Sequence, residues 1–93
     1  MKRRLGQLDQ QAAKMRQQLG RFLVAEIPAV AREYAQTGEM PKNDLHAAYI
    51  RLMESAKKVM DCTVGGDGYE QAQAEHRERS ADFQEILKSY GVP

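Results

Sequence analysis

The chain has no tryptophan, a single cysteine (Cys62), three prolines and an aromatic content of only 6%. One cysteine excludes an internal disulfide and suits a reducing compartment, so a cytoplasmic setting is expected. No apolar run approaches the ~20 residues that a membrane-spanning helix needs, and no membrane partner is expected. The basic start Lys2-Arg3-Arg4 is followed by Leu-Gly-Gln-Leu-Asp rather than an apolar stretch, so no secretory leader is expected. Internal repeats, linkers and low-complexity tracts are absent, and β-branched residues are scarce. Nor does one sign of charge dominate: 14 Lys and Arg oppose 13 Asp and Glu, for a net +1. A dedicated DNA-binding domain is usually far more basic.

Ninety-three residues with 42% apolar and 29% charged composition make one small domain, spanning 1–93. That is too apolar for disorder and too charged for a membrane protein. A chain this size buries only about 64% of its unfolded surface, so its core is thin and a second chain would help it. Ala, Gln, Glu, Leu, Arg, Lys and Met dominate, which is a helical palette.

Three helices are expected, over residues 4–36, 43–61 and 68–90. In the first, Leu5, Leu8, Ala12, Met15, Leu19 and Phe22 recur at alternating steps of three and four, a heptad seam. The stripe continues as Leu23, Ile27, Val30 and Tyr34, with a stutter at Leu19–Leu23–Ile27 that rotates the face. Pro28 cannot donate to the Val24 carbonyl, so a kink or break is expected there. Gly38 supplies a stop. Asn43 is the expected N-cap of the second helix, whose stripe is Leu45, Tyr49, Leu52, Ala56 and Val59, widened by Ala48, Met53 and Met60. Glu54 and Lys58 are spaced to pair on its outer face. After the glycine-rich loop around Gly65-Gly66-Asp67-Gly68, Asp67 and Glu70 read as a capping box for the third helix. The predicted fold class is all-α: a three-helix chain whose long, Pro-kinked first helix is braced by an antiparallel helical hairpin.

The lengths do not match. A continuous first helix of about 32 residues reaches about 48 Å, while the hairpin helices reach roughly 30 Å each. Leaving Leu5, Leu8, Ala12 and Met15 wet forgoes on the order of 4–8 kcal/mol. A second copy is the simplest cover, giving an intertwined or coiled-coil-like helical-bundle dimer. In a parallel register Arg4 faces Asp9 of the partner copy, and an antiparallel or domain-swapped pairing is equally open. Should Pro28 break the helix sharply, the alternative is a compact four-helix monomer.

Charge is uneven. Residues 1–25 carry Lys2, Arg3, Arg4, Lys14, Arg16 and Arg21 against Asp9, a net +5. Residues 62–93 carry Arg77, Arg79 and Lys88 against Asp67, Glu70, Glu75, Glu78, Asp82 and Glu85, a net −3. The expected arrangement sets the basic segment against the acidic one, within the chain or between two copies. The alternative is a nucleic-acid contact through Arg3, Arg4, Lys14, Arg16 and Arg21, with interleaved glutamines.

Catalytic signals are weak. Cys62 sits beside Asp61 at a helix C-terminus, the wrong polarity for an activated thiol. Cys62, His46 and His76 share no metal-ligand spacing, so no metal or other cofactor is expected. The glycine loop lacks a P-loop pattern, and Asp67 would repel an anion. Arg4, Arg21 and Arg32, together with the turn Met40-Pro41-Lys42-Asn43-Asp44-Leu45, give a layout similar to small all-helical chorismate mutases. That resemblance implies an entwined dimer whose basic groups bind a dianionic substrate. The motif departs where the family places an Arg-Glu pair, because Ala47-Ala48 stands there, and Pro28 interrupts a helix the family keeps continuous. The expected function is therefore non-enzymatic: a homodimeric protein–protein interaction module (adaptor, chaperone-like or inhibitor) acting on a larger protein. Its interface residues would be Leu5, Leu8, Ala12, Met15, Leu19 and Phe22, with Met15, Met40, Met53 and Met60 as adaptable contacts.

Overall fold

A computed structural model describes the backbone of residues 2–92 and the side chains of residues 9–92. It contains α1 (Lys2–Ala25), α2 (Ile27–Thr37), α3 (Asp44–Asp61) and α4 (Tyr69–Ser89). No strand occurs among the described residues. The described residues are all-helical, with four helices rather than three.

The expected first helix is divided at Glu26. Pro28 lies in the first turn of α2 and brings no N–H, so the ladder stops one turn earlier. Around the break the Glu26 N–H donates to the carbonyls of Phe22 (3.1 Å) and Leu23 (3.2 Å), and Val30 N–H donates to Glu26 (3.0 Å). His46, buried on α3, reaches the same place: its Nε2 lies 2.8 Å from the Leu23 carbonyl oxygen. A carbonyl only accepts, so Nε2 carries the proton.

The other boundaries follow local chemistry. Gly38 takes φ +70° after α2, and its N–H closes on Tyr34 (2.8 Å), a left-handed stop that a side chain would strain. Asn43 Oδ1 accepts from the N–H groups of Leu45 (2.9 Å) and His46 (3.2 Å), the expected cap. At α4 the capping box does not form. Gly68 is the N-cap at φ +85°, with no side-chain cap bond, so Asp67 stands one residue too early to serve.

α3 and α4 form an antiparallel hairpin, as the order of their contacts shows. Asp44 meets Tyr90, Tyr49 meets Phe83, Ser55 meets His76 and Lys58 meets Glu75. The expected Glu54–Lys58 pair is replaced: Lys58 Nζ lies 3.7 Å from Glu75, and Glu54 accepts from the Tyr34 hydroxyl of α2. The buried core is small. Leu23, Leu45 and Tyr90 form its centre, with Val24, Ile27, Phe83, Ile86, Leu87 and Val92 packed around them. It lies where the end of α1, the start of α3 and the end of α4 meet.

Beyond that junction α1 projects. The molecule measures 62 × 28 × 17 Å with a radius of gyration of 17.2 Å. A compact domain of this length has a radius of about 12 Å. The break at Glu26 therefore redirects the helix without folding it back, and the compact four-helix monomer is not what forms.

Candidate interaction surface

α1 presents two different faces. One is docked on the body. Arg16 Nε donates to the Ser89 carbonyl, Gln17 Nε2 donates to Gly91 O (3.2 Å), and the Arg16 guanidinium lies 4.6 Å from the centre of the Tyr90 ring. A cation on the last carbonyls of α4 is held by the negative end of that helix and by the ring face. Gly20 is buried at the tightest point of this joint. A Cβ there would stand 2.7 Å from both Tyr90 Cβ and Val92 Cγ2. Glycine is required here for close approach, although its helical backbone angles suit any residue.

The second face is the heptad seam, about a third of a turn away at 3.6 residues per turn. Ala12 is exposed, and Met15, Leu19 and Phe22 are 70%, 48% and 58% exposed. Leu5, Leu8, Arg3 and Arg4 lie outside the residues whose side chains are described. The rotation at Leu19–Leu23 separates the two faces: Leu23 enters the core while Leu19 and Phe22 remain in water.

A second apolar stripe emerges on α3. Met53 is 44% and Met60 83% exposed, with half-buried Tyr49 and Ala56 between and before them, a four-three-four spacing. Sequence reasoning placed Tyr49 and Ala56 in the core-facing stripe of this helix and Met53 and Met60 at its margin. The apolar face of α3 is wider than α4 alone can cover, and no local signal says which margin stays wet.

The charged residues are sorted differently from the nucleic-acid expectation. Lys14 and Arg21 are exposed, but Arg16 is engaged by the end of α4. Among the described residues the polar contacts of the basic helix with the acidic one lie at this tip. Four of the five acidic residues of α4, Glu75, Glu78, Asp82 and Glu85, follow a three-four-three spacing along another side.

Ser55 and both histidines have structural partners. Ser55 Oγ donates to Leu52 O (2.7 Å) and lies 3.0 Å from His76 Nδ1, so its one hydrogen is spent and His76 donates back. Cys62 is half-buried and serves as the C-cap of α3, its N–H reaching Lys58 and Val59. Among the described residues no three His, Cys, Asp or Glu side chains gather as metal ligands. Two tyrosines have their phenol pKa raised above the usual 10.0. For Tyr34 the cause is its bond to the Glu54 carboxylate, then burial. For Tyr90 it is the bond to Asp44 (2.8 Å), then burial, against smaller opposing effects of Asn43 and Arg16.

A shallow cavity of about 310 Å³ lies between α2 and the start of α3, lined by Tyr34, Thr37, Met40, Lys42, Asn43 and His46 among others. Arg21 and Arg32 are exposed and neither lines it, so the described arginines of the chorismate-mutase-like layout are not gathered at this cavity. No protein-family model matches the chain, and no curated protein or solved structure matches it either.

Proposed function

We propose that this protein is a non-enzymatic helical interaction module that works as a homodimer and presents its helices to a larger protein target, as an adaptor, chaperone-like factor or inhibitor. One observation carries the reading: a regular helix holds Met15, Leu19 and Phe22 in water on one face while its other face is docked. Fully burying a side chain of this size contributes about 1.5–3 kcal/mol. A single chain that leaves three of them wet gains much by association. A cytoplasmic setting agrees with the free thiol.

The test is the mass in solution. Sedimentation equilibrium should return twice the 10.5 kDa of one chain. Leu19→Glu with Phe22→Glu should return the single-chain mass with helical circular dichroism retained, because both positions lie outside the core. A wild-type protein that stays at one chain mass across the micromolar range would overturn the homodimer.

A second reading, nucleic-acid binding along α1, is favoured by exposed Gln10, Lys14 and Arg21 on a face without acidic residues. Its signature is a mobility shift of mixed-sequence DNA at low salt that disappears as salt rises.

A further inference from the structure

We infer that the seam of α1 is covered by the Met53–Met60 stripe on α3 of a second copy, and that the exchange is reciprocal about a two-fold axis. This rests on the homodimer reading and states which surface meets which. The two stripes are matched in reach. Ala12 to Phe22 on α1 spans about 15 Å, and Tyr49 to Met60 on α3 spans about 16 Å, at 1.5 Å per residue. Both follow the four-three spacing that lets one helix seat its side chains between those of another. Met15, Leu19 and Phe22 on α1 and Met53 and Met60 on α3 are large apolar side chains left in water by the single chain. A two-fold exchange covers both stripes in both copies, whereas pairing α1 with α1 leaves Met53 and Met60 wet.

Charge disfavours the alternative of α1 against α1. Residues 1–25 carry a net +5, so within the whole-chain +1 the remaining residues carry −4. Two α1 helices side by side bring like charge together. α3 itself carries Arg51, Lys57 and Lys58 against Asp44, Glu54 and Asp61, a net of zero, so an α1 laid on it meets no such repulsion.

The surface area agrees in scale. The chain exposes 7456 Å². A compact monomer of this mass exposes about 5,400 Å². The difference of roughly 2,000 Å² per chain is of the size that obligate homodimers bury. An isologous contact returns it from each copy at once.

Two experiments decide. Met60→Glu changes a side chain that is in water in the single chain, so the fold should survive. The inference requires it to weaken the dimer by at least tenfold in Kd, as Leu19→Glu does. An unchanged dimer would overturn the exchange. In a Cys62→Ser background, Leu19→Cys and Met53→Cys chains are mixed, allowed to exchange subunits and treated with a short bis-maleimide. The expected product is a covalent dimer joining position 19 to position 53, found by peptide mapping only in the mixture. A position 19 to position 19 product from the Leu19→Cys chain alone, or a dimer that gives neither product, overturns the exchange and leaves the homodimer standing. A wild-type protein at single-chain mass overturns both.

Discussion

Replacing Gly20 by alanine sets two known effects against each other at one atom. In an open helix the change is favourable by about 0.8–1.0 kcal/mol, because alanine loses less backbone freedom than glycine. At Gly20 the new methyl group would stand 2.7 Å from Tyr90 Cβ and 2.7 Å from Val92 Cγ2. Carbon atoms prefer about 3.5–4.0 Å. Val92 is packed against the core and its N–H is bonded to Leu87, and Tyr90 Cβ is tied to the backbone and to a buried ring. Overpacking of this kind costs about 1–3 kcal/mol. The clash should win, with a net loss of about 0.5–2 kcal/mol. Urea unfolding followed by circular dichroism, at fixed protein concentration, measures it. Val92→Ala removes one of the two close atoms and should recover part of the loss, giving a positive coupling in the double-mutant cycle. If Gly20→Ala instead stabilises the protein by the full propensity gain, α1 is not seated on the end of α4 and the account of this joint fails.

Removing the α3 cap by Asn43→Ala should cost about 1 kcal/mol, read from the same urea curves, because the His46 N–H loses its side-chain acceptor and the Leu45 N–H keeps only Asp44 Oδ1. Tyr90 and Tyr34 give stability an alkaline limit. Their folded pKa values lie above the unfolded 10.0, so the stabilisation is fully present below pH 10.0 and is lost as pH rises through the higher folded values. Tyr90→Phe should flatten that alkaline fall while lowering stability at neutral pH through loss of the bond to Asp44. An unchanged alkaline slope would show that the Tyr90 hydroxyl does not face Asp44.

How the site was legible differs from residue to residue. The α1 seam could be read because heptad spacing is a property of neighbours within one helix, and its rotation at Leu19–Leu23 announced that Leu23 would part company with Phe22. Met53 and Met60 could not be separated from Ala48 in the same way. All three widen one stripe, but Ala48 is buried and the two methionines are exposed. Which side of α3 is covered depends on where α4 returns after the glycine loop. Arg16 was read with the other basic residues of the first segment. Its engagement with Ser89 and Tyr90, residues distant along the chain, takes it out of any free basic face.

The sequence by itself determined what a few neighbouring residues can decide. That covers the helical state, the stop at Gly38, the cap at Asn43 and the interruption before Pro28, since each depends on backbone hydrogen bonds within about one turn. Tertiary structure decided what needs residues far apart to meet. It made the interruption a redirection rather than a fold-back, placed the core where Leu23, Leu45 and Tyr90 converge, and left two apolar stripes in water. Burial is a relation between distant surfaces, and the order of residues along one helix does not contain it.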